Sequence, residues 1–241
     1  ITWNATGLVT PVKIEYSTNN GGAWTQLTDT HVGVDGANSY PWTIPGALNS
    51  EQCLIRVSDA RSASFPLVTD TSANMFSIRP TITVSQPVAG QNVPASGTVP
   101  LRWSVTGTSI TQVNLQYSVN NGIDWTTFDS GVAVGQGTTY NWTNTFTNKV
   151  ANLAKVRVVD NDNDKVIGNC PGAFSIVGNL ELLTLKDAGA SWEIGTTQSI
   201  SWNYTAVTNV KGEYSLDGGT SWTTIQNPTN GIVPASNGSM T

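Results

Sequence analysis

Five consecutive residues, Asp160-Asn161-Asp162-Asn163-Asp164, put three carboxylates at alternate positions of one short stretch. Loops of this kind present oxygens to hard cations such as calcium, which takes about six to eight of them. An EF-hand loop counted from Asp160 would need glycine at its sixth position and glutamate at its twelfth, where the chain has Lys165 and Pro171. Asp160, Asp162 and Asp164 are therefore a candidate calcium site of another geometry, with a plain solvated turn as the alternative reading.

Asn4, Asn141, Asn203 and Asn237 each open an Asn-x-Ser/Thr triplet, the acceptor for asparagine-linked glycans. Asn4 and Asn203 each follow a tryptophan, so on a strand they face away from it. An Asn- and Thr-rich chain also produces such triplets by chance. His31 is the sole histidine, and it reads as a surface residue rather than a general base. Asp29 and Asp35 resemble an acid/base pair, but no such pair recurs where the surrounding pattern does. The sequence shows no nucleophile elbow, histidine metal cluster or phosphate-cradling glycine loop, so it points to no catalysis and no cofactor beyond the candidate calcium.

The elements that position these residues are strands. Val12, Ile14 and Tyr16 alternate with Lys13, Glu15 and Ser17, and the same alternation runs through Val113, Leu115, Tyr117 and through Val210, Gly212, Tyr214. Period-two alternation marks a strand with one buried face. Each run enters a turn of the same form, YSTNNGGAW, YSVNNGIDW and YSLDGGTSW, then leaves through Thr- and aromatic-rich residues suited to a second strand. Asn20-Gly21-Gly22, Asn121-Gly122 and Asp217-Gly218-Gly219 accept the positive φ of a tight hairpin. The hairpin landmarks are Tyr16 and Trp24, Tyr117 and Trp125, and Tyr214, Asp217, Gly219 and Trp222.

The repetition extends beyond the hairpin. Ile1-Thr2-Trp3 is matched by Leu101-Arg102-Trp103 and Ile200-Ser201-Trp202, at a period of about 100 residues. Tyr40-Pro41-Trp42 answers to Tyr140-Asn141-Trp142, Ile55-Arg56-Val57 to Val156-Arg157-Val158, and Phe76-Ser77-Ile78 to Phe174-Ser175-Ile176. Short strands separated by turn signals, with no helical period, predict an all-β chain of tandem sandwiches. The expected divisions are 1–79, lacking its first strand; 80–178, complete; and 179–241, the N-terminal part of a third. Junctions of a few residues leave no room for a flexible tether, so a stiff rod is expected. The broken outer units read as a window on a longer repetitive chain, with strand exchange between subunits as the alternative.

Charged residues make up 11% of the chain, against about a quarter in an average protein, and the net charge is −5. Scattered Lys and Arg argue against nucleic acid, which wants a basic stripe, and no apolar run is long enough to span a membrane. Cys53 alternates with Ile55 and Val57 as a small core residue would, and Cys170 sits at a place with no counterpart, so an intrachain disulfide is not expected. Trp3, Trp103 and Trp202 share a face with apolar neighbours and read as core. Trp24, Trp125 and Trp222 have the opposite parity to Leu27, Phe128 and Ile225, which leaves one set exposed and keeps sugar binding open.

Ser215, Asp217, Gly219 and Trp222 resemble the Asp-box of sialidases and related β-propellers, where the motif is a structural hairpin. Propeller blades repeat every 40 to 50 residues or so, which sets that architecture aside here. The full order of landmarks, with Gly189-Ala190-Ser191-Trp192-Glu193-Ile194-Gly195 as an opening, resembles the immunoglobulin-like repeats of large secreted prokaryotic surface proteins. These are themselves similar to the Ser/Thr-rich domain of fungal cell-wall proteins. Gly90-Gln91-Asn92-Val93-Pro94-Ala95-Ser96-Gly97 departs from that opening. The resemblance implies an extracellular or cell-surface stalk, fibre or filament shaft that self-associates. The rival expectation is an adhesin or carbohydrate-binding array whose partners are surface glycans.

Overall fold

A computed structural model describes residues 1–7, 9–61, 68–135, 139–143, 150–185, 189–226 and 230–241. The chain is all-β: apart from a single 3₁₀ turn at Ala235–Asn237, every described element is a strand. Among the described residues no helix is long and apolar enough to cross a membrane. Every described strand pairing stays within residues 1–79, 80–178 or 179–241.

The middle repeat carries the largest core. One sheet orders Thr139–Thr143, Thr98–Thr106 and Thr81–Gln86; the other orders Thr126–Ala133, Gln112–Ser118, Ala151–Asp160, Phe174–Val177 and Asn92–Pro94. Between them lie Leu101, Trp103, Val113, Leu115, Val156, Val158, Phe174 and Ile176, all buried. Val113 and Leu115 are fully buried while the alternating Asn114 and Gln116 are not, as period two requires. Each such side chain contributes about 1.5–3 kcal/mol by leaving water, so the repeat holds itself together without a disulfide.

The first repeat builds the second of these sheets again, with Thr25–His31, Val12–Ser17, Ser50–Asp59 and Thr69–Thr71 in order and Phe76–Ile78 also on Ser50–Asp59. Among the described strands, its Thr2–Ala5 pairs Gly36–Ser39 alone, whereas Thr98–Thr106 has strands on both sides. One expectation is corrected. Trp103 and Trp202 are 2% and 4% exposed, each facing a neighbouring strand through Val84 or Leu182, whereas Trp3 is only half-buried. Trp3 leans instead on the edge of the His31 ring, 5.4 Å between centroids.

The third repeat sets Ile200–Thr205 between Asn179–Leu182 and Ser239–Met240, with the pairs Asn209–Lys211 and Ile232–Pro234, and Glu213–Tyr214 and Thr223–Thr224, beside it. Cys53 and Ala154 sit opposite Phe76 and Phe174 in matching register, so one small-residue position recurs under a phenyl ring. Both cysteines are free thiols and buried.

Candidate functional site

The hairpins share one hydrogen-bond plan whose hub is a serine. Ser17 Oγ accepts from the Gly21 amide at 2.9 Å and donates to Asn19 Oδ1, which accepts from the Ala23 amide at 2.8 Å. Ser118, Asn120 and Asp124 repeat this with Gly122 donating at 2.8 Å, and Ser215, Asp217 and Ser221 repeat it with Gly219 donating at 2.8 Å. Two successive residues take positive φ in each turn: Asn20 and Gly21, Asn121 and Gly122, Gly218 and Gly219. The Ser221 hydroxyl and amide, with Ser215, hold the Asp217 carboxyl well below its usual range.

The tryptophans ending the first two turns each have an arginine partner. The Arg56 guanidinium lies 4.2 Å from the centre of the Trp24 ring, and Arg157 lies 4.2 Å from that of Trp125. Each arginine is anchored at its base: Arg56 reaches Glu15 at 2.7 Å, and Arg157 Nε donates to Gln116 at 2.6 Å. The tyrosines pack too, Tyr16 on Trp42 and Tyr117 on Trp142 with centroids 4.9 and 5.8 Å apart. Trp24 and Trp125 are consequently half-buried. Trp222 is 61% exposed and Tyr214 45%, so the exposed set is the third copy alone.

The acidic loop engages the first repeat. Asp160, 2% exposed, accepts from Asn49 Nδ2 through Oδ2 at 2.8 Å. Asn163 Nδ2 donates to Asn49 Oδ1 at 2.8 Å and to Glu51 Oε1 at 3.1 Å. Arg79 and Ser77 also donate to Glu51 at 2.7 and 2.8 Å. Together Arg79, Asn163 and Ser77 pull the Glu51 carboxyl down to about 2. Beside this cluster the Thr108 amide donates to Gly46 O at 2.7 Å. Gly107, at φ 89°, must be glycine, since a Cβ there would meet Gly46 O at 2.7 Å. Asp162 and Asp164 are exposed, Asp164 beside Lys165 at 3.2 Å. Among the described residues no three His, Cys, Asp or Glu side chains converge as metal ligands.

Asn4, Asn141, Asn203 and Asn237 are all exposed. His31 is half-buried rather than a free surface group, wedged between Trp3 and Tyr40. Asp35 accepts from the Gly7 amide at 2.8 Å. Sequence reasoning missed Asn49, Glu51, Arg56, Arg79 and Arg157. Only Arg56 and Arg157 carried a signal, as the polar residue repeated between two apolar ones in Ile55-Arg56-Val57 and Val156-Arg157-Val158. Comparison with protein-family models, curated proteins and solved structures finds no match.

Proposed function

We propose that this protein is an extracellular structural repeat protein that builds a stalk, surface fibre or filament shaft, with immunoglobulin-like sandwiches as its modules. The observation that supports this most is the contact joining the first two repeats. Asn49 and Glu51 of one hold Asp160 and Asn163 of the next through geometrically defined hydrogen bonds, and Gly46 and Gly107 bring the two backbones together. A spacer needs fixed angles between modules, and several short polar contacts set an angle that a bare linker cannot. A carbohydrate-binding array draws less support. Sugars stack on open aromatic faces, and arginines cover Trp24 and Trp125.

Solution scattering and negative-stain imaging of the purified protein test this reading. The expected result is a single extended particle length, broadened in the double variant Asn49→Ala and Asn163→Ala. Wild-type particles bent at many angles, or glycan binding without assembly, would overturn it.

A further inference from the structure

The outer face of the hairpin sheet follows one plan in the first two repeats and carries different charges. Val156 and Val158 are fully buried, so Lys155 and Arg157, which alternate with them, face outward. Their counterparts in the first repeat are Leu54 and Arg56. Gln116 and Ser118 lie opposite Arg157 and Lys155 just as Glu15 and Ser17 lie opposite Arg56 and Leu54. A Cβ on Gly21 would meet the Trp24 ring at 3.5 Å and Leu54 at 3.8 Å, and one on Gly122 would meet the Trp125 ring at 3.1 Å and Lys155 Cδ at 3.8 Å. The lysine stem therefore fills the leucine's place against the hairpin and carries an ammonium beyond it.

The first repeat sets a carboxylate between its cations, because Glu15 contacts both Lys13 and Arg56 at 2.7 Å. The middle repeat has Gln116 there instead. Its Oε1 accepts from Arg157 Nε at 2.6 Å while its Nε2 donates to Thr127 Oγ1 at 3.0 Å. The amide thus orients the guanidinium without neutralising it. Among the described residues neither Lys155 nor Arg157 is paired with a carboxylate. Two residues along one strand stand about 7 Å apart, so a protein of net charge −5 holds two uncompensated cations side by side. A following repeat does not cover this face: the first repeat has one, and its Trp24, Leu54 and Arg56 are half-buried, as are Trp125, Lys155 and Arg157.

We propose that Lys155 and Arg157 form a binding site for the carboxylate-bearing sugars of an acidic polysaccharide. The Lys155 ammonium and the terminal nitrogens of Arg157 take the carboxylate, the arginine as a two-pronged donor. The surroundings favour a sugar over an acidic peptide. At Arg157 the strand Ala151–Asp160 is bonded to Gln112–Ser118 on one side and to Ile167–Asn169 on the other, so no free main-chain edge receives a peptide as an added strand. Thr127 and Asn169, cross-strand neighbours of Gln116 and Arg157, bring a hydroxyl and an amide to the same face for a ligand rich in hydroxyls. The ligand meets the arginine nitrogens rather than the tryptophan face, so this is one charged site on one repeat and not an aromatic array. It is independent of the fibre role, which particle length reads separately.

The test titrates oligogalacturonate into the intact protein at low salt, with its methyl ester as the uncharged control. Calorimetry reads affinity, and the Trp125 indole N–H resonance reads location. Saturable one-to-one binding that shifts this resonance and weakens as salt is raised is expected. Gln116→Glu and Lys155→Leu each install the residue that the first repeat has at that place, so both variants should fold, and each should weaken binding about tenfold. Absence of binding by the folded protein would overturn the proposal, as would equal affinity for the methyl ester or unchanged affinity in both variants. Tighter binding of oligo-aspartate than of oligogalacturonate would also overturn it, by assigning the site to a protein partner.

Discussion

The Arg157 guanidinium sits over the Trp125 ring while its Nε donates to Gln116, so one side chain ties the hairpin to the strand paired beside it. Arg56 does the same for Trp24 through Glu15. Charge alone does not explain the arrangement, because the second repeat replaces the carboxylate with an amide and keeps the stack. Replacing Arg157 with lysine preserves the charge and loses the planar fit. Arg157→Lys should destabilise the protein by about 1 kcal/mol, and Arg157→Gln by about 1–2 kcal/mol, in urea unfolding. Loss of less than a few tenths would mean the stack is decoration.

The hairpin hubs predict opposite outcomes for one substitution. Asn19→Asp should be nearly neutral, because the acceptor oxygen survives and the residue four places on is Ala23. Asn120→Asp should destabilise by about 1 kcal/mol, because Asn120 Nδ2 donates to the Asp124 carboxylate at 2.7 Å and the change sets two carboxylates together. Paired thermal melts decide it. The third copy carries Asp217 without penalty because Ser221 donates to it from both its hydroxyl and its amide.

Acid should loosen the joint between the first and second repeats. Glu51 binds its proton at about 2 when folded against an ordinary 4.5, so its contribution is complete above about 4.5 and is lost as pH falls from there toward 2. The melting temperature of wild type should exceed that of Glu51→Gln at pH 6, and the gap should narrow through pH 4 to 3 and close toward pH 2. A gap constant over that range would show that Glu51 does not hold the joint.

Both thiols should be silent in the native protein. Cys53 is fully buried, and Cys170 Sγ accepts from the Val156 amide and donates to Gly172 O. A disulfide-exchange reagent should titrate neither before unfolding and both afterwards, and a non-reducing gel should show monomer. Rapid native reaction of Cys170 would require that edge of the core to open readily.

Strands and hairpins were legible in the sequence because their signals are local. Alternation identifies a buried face, and only a few residue types accept the positive φ of Asn20-Gly21 or Gly218-Gly219. The contacts that give the candidate sites their character join residues far apart. Arg56 and Glu15 are separated by 41 residues, Asn49 and Asp160 by 111. Neither pair has a period or composition that marks it, so Asp160-Asn161-Asp162-Asn163-Asp164 read as an ion-binding loop while Asp160 and Asn163 face a neighbouring repeat. Trp3 illustrates the same limit from the other side. Its pattern is that of Trp103, yet Trp103 is buried and Trp3 only half-buried against His31.

The serine-centred turns also bear on the order in which the chain acquires structure. Their bonds span two to four residues, as from Ser118 to Asn120 and Gly122, so closing them costs little chain entropy. Pairing Gln112–Ser118 with Ala151–Asp160 closes a far longer loop and is correspondingly slow. Each of the first two repeats thus carries a fast local turn ahead of a slower long-range pairing. The turns are nearly interchangeable, and while Glu15 and Gln116 are both unpaired, Arg56 and Arg157 can each dock on the wrong neighbour.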